Sequence, residues 1–150
     1  MPVKDFVWEE RVRIYDTDTQ GVVHYAGYYR FFTDALEQFA KSRLKVNWPL
    51  VNGMVWFVVV ESHAKYHRPL RLWDMIRVHV VPAVAGRKAL SFAFRVYKRS
   101  ELACEGKLVM IAIDPKAWRS IVLPRNIASK AKKLGGSKQA ISKSAISASL

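Results

Sequence analysis

An α+β fold is predicted from three observations. Tyr28, Phe31, Phe32, Ala35, Leu36, Phe39, Ala40 and Leu44 recur at three-and-four spacing, the apolar stripe of one long amphipathic helix. Four segments rich in β-formers follow it, each set off by turn residues. One further strand precedes it, where Trp8, Val12 and Ile14 alternate with Glu9, Arg11 and Arg13. A single helix amid consecutive hairpin strands implies an antiparallel five-stranded sheet wrapped around one long central helix.

The elements are justified in chain order. Gly21 permits a tight turn in the strand-to-helix loop, Tyr15–Tyr25. Pro49 disfavours helix at Trp48, so the helix ends before it and a loop runs to about Gly53. Val55 to Tyr66 is a strand, and its half Val55–Val60 is apolar on both faces, as for a strand covered by a helix or a second subunit. That pattern marks it as the central strand. Pro69 and Leu72-Trp73-Asp74 end it, and Ile76, Val78 and Val80 alternate with Arg77 and His79 in the next. Gly86-Arg87-Lys88 is a turn into Leu90, Phe92, Phe94 and Val96, and Lys98–Glu101 turns into a last strand from about Leu102 to Ile113.

The 150 residues suffice for one domain with a single core, expected over residues 1–124. Six of the thirteen net positive charges lie after Pro124, where no acid occurs, which leaves +7 on the first 124 residues. Residues 125–150, rich in Ser, Ala and Lys, read as a poorly ordered basic tail or a frayed helix. No apolar run reaches the roughly 18 residues of a membrane span, and residues 1–6 lack the pattern of a secretory signal, so a cytoplasmic location is expected. Cys104 is alone, which excludes an intramolecular disulfide and reads as a small core residue. No metal-ligand spacing, Gly-rich phosphate loop or Gly-x-Ser-x-Gly elbow occurs, and no metal site is expected.

Chemistry concentrates in Tyr15-Asp16-Thr17-Asp18-Thr19-Gln20-Gly21-Val22-Val23-His24-Tyr25, which sets two carboxylates beside a helix start. The N–H groups of a first helical turn lack intrahelical acceptors and, with the helix dipole, favour an oxyanion. A carboxylate and such donors are the two parts that ester or thioester hydrolysis requires. Asp16 reads as a turn residue bonded to nearby backbone, the alternative being a partner carboxylate that raises the pKa of Asp18. Asp34 and Glu37, three apart on the helix, are reserve carboxylates, although an exposed polar face also explains them.

This motif, continued by Tyr28 and Phe31-Phe32, and the stretch Val60–Asp74 together resemble the hotdog-fold acyl-CoA thioesterases of the 4-hydroxybenzoyl-CoA thioesterase-like branch. The resemblance covers about residues 6–114. It implies a hotdog fold and hydrolysis of a fatty or aromatic acyl-CoA, with Asp18 as the catalytic carboxylate and the Tyr25 N–H polarising the thioester carbonyl; His24, in a loop beside aromatics, reads equally as a residue that orients substrate or water and as a structural one. CoA is then part of the substrate, and no cofactor is implied. Its phosphates need cations, for which Arg87 and Lys88 are candidates, with Arg68 and Arg71 behind them. Tyr28 and neighbouring aromatics are candidates to line the acyl pocket. The family implies a site between subunits, hence a homodimer at minimum and a homotetramer as a common assembly. The chain departs from many relatives at Tyr25, where they carry a histidine, and near Leu36, where they carry an arginine on the helix.

The rival reading is a non-catalytic module that binds acyl-CoA, or nucleic acid through the basic tail; nucleic acid is not the expected partner. Cutting the chain after Pro124 separates the two, because only nucleic-acid binding needs the tail. A dehydratase on the same fold calls for a histidine and an acid across the subunit boundary, and no such spacing singles out His24, His63, His67 or His79.

Overall fold

The computed structural model describes residues 5–135. Strand β1 (Phe6–Arg11) leads through a short 3-10 turn, Ile14–Asp16, and a hairpin loop to a second 3-10 turn, Tyr25–Gly27. Helix α1 (Tyr28–Phe39) continues from it, widens into a π-helical turn at Ala40–Leu44 and stops at Lys45, whose φ is 61°. Strands β2 (Trp56–Tyr66), β3 (Met75–Val84), β4 (Ala89–Lys98), β5 (Glu101–Asp114) and the two-residue β6 (Arg119–Ser120) follow, then helix α2 (Arg125–Gly135). The strand order is β1-β3-β4-β5-β2, antiparallel throughout, with β6 added to β5.

The sheet curls around α1. Tyr28, Phe31, Phe32, Ala35, Leu36 and Phe39 are all buried, and they are the predicted stripe. Opposite them stand the inward residues of β3 and β4, Ile76, Val78, Val80, Leu90, Phe92, Phe94 and Val96. Phe32 stacks on Phe94 at 4.8 Å, and a Cβ on Gly106 would lie 2.2 Å from the Phe32 ring. Gly106 faces Phe94 across the β4–β5 ladder, so its missing side chain is the space the Phe32 ring occupies.

Three expectations change. The apolar strand β2 is an edge strand, not the central one; β4 holds the middle. Val59 and Val60 are each about half exposed, so the two-faced apolar pattern reflects no cover from the described residues of this chain. Strand β1 stops at Arg11, before Ile14, because the Asp16 side chain takes the Arg13 N–H at 2.8 Å and bends the chain into the 3-10 turn, leaving Ile14 exposed. The first eleven residues after Pro124 form α2, with Ile127 and Ala131 in the core and Lys130 Nζ donating to the Leu44 carbonyl. The packed body therefore extends past the boundary expected at residue 124, and a cut there would remove core residues; the rest of the expected tail, 136–150, lies outside the described residues.

Candidate active site

The loop between β1 and α1 is a three-residue hairpin. The Asp18 N–H donates to the Val22 carbonyl at 2.9 Å, the Gly21 N–H to the Asp18 carbonyl at 3.0 Å, and Thr17 bridges Val23. Gly21 has φ 78°, the left-handed value that closes a loop of this length and that other residues adopt at a cost. Asp18 thus stands at the hairpin mouth, exposed to solvent. Its Oδ1 accepts the Gln20 N–H at 2.8 Å, whereas Oδ2 accepts no hydrogen bond among the described residues. One oxygen thus anchors the carboxylate to the loop backbone.

The other end of this loop is held by Asp16. Its side chain is 2% exposed and takes two bonds from Arg30, Nε to Oδ1 at 2.6 Å and Nη2 to Oδ2 at 2.5 Å. Arg30 also donates to Glu10 and, at 2.7 Å, to Asp34. One guanidinium on α1 therefore ties β1, the hairpin and its own helix together. Burial, then the hydrogen bond with Asp34, pushes the Glu10 carboxyl up to about 7 against the pull of Arg30. Asp34 is thereby a member of this cluster rather than a lone exposed carboxylate.

The helix start lies close against the hairpin. A Cβ on Gly27 would approach the Asp16 carbonyl to 3.1 Å and Val23 Cγ1 to 3.0 Å. The Tyr25 N–H donates to no acceptor among the described residues, as a first-turn donor should. The Tyr25 carbonyl takes the Tyr66 hydroxyl at 2.8 Å, its phenol is exposed, and the half-buried His24 ring packs edge-on to it at 6.5 Å. Beside this start a cavity of about 310 Å³ is lined by Val23, Tyr25, Tyr28, Tyr66, His67, Arg68 and Pro69. The Tyr28 and Tyr66 rings meet across it at 5.1 Å, and burial pushes the Tyr28 phenol up to about 12, so it stays a neutral wall.

Of the predicted residues, the structure gathers Tyr25, Tyr28 and Arg68 around this cavity. Arg71 lies nearby, bridged to Val22. Arg87 and Lys88 do not join them. They occupy the β3–β4 turn, where the Lys88 carbonyl takes the Ala112 N–H and its Nζ reaches Ser120, at the end of the sheet opposite to Tyr66 and Arg68. Sequence reasoning missed Tyr66 and the hydrogen bond between His67 Nε2 and the buried Glu105 at 2.9 Å, since their partners are 41 and 38 residues away. Partial burial pushes the Tyr66 phenol up. Cys104 is fully buried, with its thiol pushed by burial up to about 12, and takes no part. Among the described residues no cluster of three or more His, Cys, Asp or Glu is placed to hold a metal ion.

A curled antiparallel sheet wrapped around one main helix is the hotdog fold. The model of the thioesterase-like superfamily matches residues 12–131, and the chain belongs to that superfamily. It is 28% identical over 128 residues to the acyl-CoA thioester hydrolase YbgC of Escherichia coli O157:H7, an alignment covering 85% of this chain and 96% of that one. In fold it is similar to Slr0204, a 1,4-dihydroxy-2-naphthoyl-CoA thioesterase from Synechocystis, with a TM-score of 0.79 at 17% identity over 89% of this chain and 99% of that one. It is equally similar to SAV2348 from Staphylococcus aureus, solved in complex with CoA, with a TM-score of 0.80 at 21% identity over 90% and 86% of the two chains.

Proposed function

We propose that this thioesterase hydrolyses fatty or aromatic acyl-CoA esters to the free acid and CoA. The observation that carries the reading is Asp18, held at Oδ1 and open at Oδ2, on a hairpin packed against the helix start whose Tyr25 N–H is open. Its support from relatives is the acyl-CoA activity named for the E. coli protein and the CoA bound to the S. aureus one. In this reading Asp18 either takes a proton from the water that attacks the carbonyl carbon or attacks that carbon itself, forming an acyl-aspartate anhydride that water then hydrolyses to the free acid. The Tyr25 N–H stabilises the oxyanion, His24 orients the water, and the thiolate of CoA departs. Tyr28 walls the acyl end.

The working unit in this reading is a dimer formed at β2, whose exposed Val59 and Val60 and unpaired edge suit antiparallel addition of a second β2. Such pairing turns the partner end for end, which moves its Arg87–Lys88 turn toward this chain's Asp18 end. Cations for the CoA phosphates then come from two places, Arg68 and Arg71 within the chain and Arg87 and Lys88 across the dimer. Pairs of dimers forming a tetramer, in a reducing cytoplasm that keeps CoA thiols free, complete the proposal.

The test is thiol release from short, medium, long and aromatic acyl-CoA esters by the intact protein and by Asp18→Asn. The variant is expected to lose about 10²-fold or more in kcat, the usual share of a positioned acid or base. Turnover by Asp18→Asn within about tenfold of the parent would remove Asp18 from the mechanism.

A further inference from the structure

The turn that carries the Tyr25 N–H has little of its own to hold it in place. Tyr25 and Ala26 are both exposed, so neither side chain anchors the turn in the core. Gly27 is the first residue of the turn whose N–H finds an acceptor, the His24 carbonyl at 2.8 Å. On the hairpin side the loop is tied by the His24 N–H on the Asp16 carbonyl at 3.1 Å and by the Val23 N–H on the Leu70 carbonyl at 2.8 Å. On the cavity side, among the described residues, one hydrogen bond reaches Tyr25 or Ala26 from another element of the fold. It is the Tyr66 hydroxyl donating to the Tyr25 carbonyl at 2.8 Å.

Tyr66 is itself held at two points. Its main chain closes β2 in register with Cys104 of β5, and its ring meets the buried Tyr28 ring at 5.1 Å. Burial pushes both phenols up, Tyr28 to about 12, so the Tyr66 hydroxyl keeps its proton at neutral pH and remains a donor. A carbonyl that accepts a hydrogen bond fixes the plane of its peptide, here Tyr25–Ala26, and polarises the N–H at the other end of that plane. The Ala26 N–H is thereby the stronger donor. The same restraint limits rotation about Tyr25, and with it the direction of the Tyr25 N–H.

We propose that Tyr66 is a positioning residue for hydrolysis, whose hydroxyl clamps the Tyr25–Ala26 peptide so that the N–H groups of this turn meet the thioester oxygen as negative charge develops on it. The inference rests on the reading of Tyr25 as the oxyanion donor and deepens it by assigning the side chain that aims that donor. Preorganised donors lower a barrier because they need not reorient as charge forms, and a donor free to turn away gives that advantage up. Tyr66 touches no reacting atom; it acts through the turn, so its effect falls on the transition state rather than on substrate binding.

The experiment compares the parent protein with Tyr66→Phe, which keeps the ring and removes only the hydroxyl, and with Tyr97→Phe, a phenol on β4 whose ring packs edge-on to His79. KM and kcat are measured for butanoyl-, decanoyl- and benzoyl-CoA. Calorimetry follows binding of a CoA thioether that ends in a trifluoromethyl ketone, which adds water to form a tetrahedral centre, and of its methyl ketone, which stays planar. Order parameters of the Tyr25 and Ala26 amides are taken from 15N relaxation. Expected in Tyr66→Phe is a fall in kcat of about tenfold or more with KM within about twofold, a part of the roughly 10²–10³-fold that outright loss of an oxyanion donor costs. The trifluoromethyl ketone should bind more weakly by the same factor and the methyl ketone equally well. Order parameters at Tyr25 and Ala26 should fall from about 0.85 to below about 0.6. Tyr97→Phe should match the parent throughout.

A rise in KM at unchanged kcat, or equal weakening of both ketones, would make Tyr66 a wall of the pocket and overturn the inference while leaving the acyl-CoA reading intact. Unchanged order parameters would overturn it whatever the hydrolysis shows. Order parameters that fall in a protein that hydrolyses none of these esters would keep the clamp on the turn and discard the acyl-CoA reading.

Discussion

Replacing Arg30 by methionine removes the one group that joins β1, the Asp18 hairpin and α1. The variant keeps the apolar stem but leaves Asp16, 2% exposed, with only the Arg13 N–H for a partner, and it strips Glu10 and Asp34 of their cation. Breaking a buried ion pair from one side costs about 3–5 kcal/mol. Arg30 is 26% exposed, and the Glu10 carboxyl can hold a proton near neutrality, so the lower end applies, about 3 kcal/mol. Lost contacts of the guanidinium over the Tyr15 and Phe31 rings, at 5.2 and 4.8 Å, act in the same direction. At about 2–4 °C per kcal/mol, Tm should fall by about 6–12 °C. Urea unfolding of the parent, Arg30→Met, Asp16→Asn and the double variant gives the coupling directly. A loss below about 1 kcal/mol, or additive single effects, would show that the network behaves as an exposed salt bridge and would refute the reasoning. If Arg30 positions the Asp18 hairpin, Arg30→Lys should refold stably yet lower kcat more than it changes KM.

Three further outcomes are expected. The folded pKa of Glu10, about 7, lies above its ordinary 4.5, so the native state binds the extra proton; the stability this contributes is complete below pH 4.5 and lost as pH rises through 7, a range worth about 3 kcal/mol. The stability difference, parent minus Glu10→Gln, measured by urea unfolding should therefore fall from pH 4.5 to pH 8, and a difference independent of pH would exclude this assignment. Gly106→Ala drives a methyl to 2.2 Å from a ring carbon of the fully buried Phe32 and should cost about 1–3 kcal/mol in thermal or urea unfolding; an unchanged midpoint would mean that the ring has room to move. Cys104, buried and with its thiol at about 12, should resist iodoacetamide in the native protein and react once unfolded, whereas rapid native labelling would show that the sheet opens there.

The features legible in the sequence are those written in local periodicity. The stripe from Tyr28 to Phe39 specified the buried face of α1, and the alternation of Ile76, Val78 and Val80 and of Leu90, Phe92, Phe94 and Val96 specified the inward faces of β3 and β4. The tight turn at Gly21 was legible too, and its φ of 78° is the value that glycine adopts freely, but the hairpin pairing of Thr17 with Val23 was not. An unbroken apolar run, by contrast, says that a strand is covered but not by what, and β2 lies at the edge because β5, far along the chain, chooses β4 and β2 as neighbours. Helix α2 carried a signal in Ile127, Ala131 and Leu134, four and three apart, which the dense lysines around it obscured. The Arg30 network and the separation of Arg87 and Lys88 from Arg68 and Arg71 depend on contacts made only when the sheet has formed.

Helix α2 has a consequence for how the chain is made. The strands that curl around α1 are all synthesised before Arg125, so the sheet has its full complement of partners while Ile127 and Ala131 are still to come. Domains fold as units during synthesis at about 5–20 residues per second. A chain whose sheet has closed before α2 docks therefore holds an uncovered apolar gap beside β3 until α2 fills it. The last helix is therefore the element that seals the finished body, and cutting the chain after Pro124 should leave a folded sheet with a sticky flank beside β3.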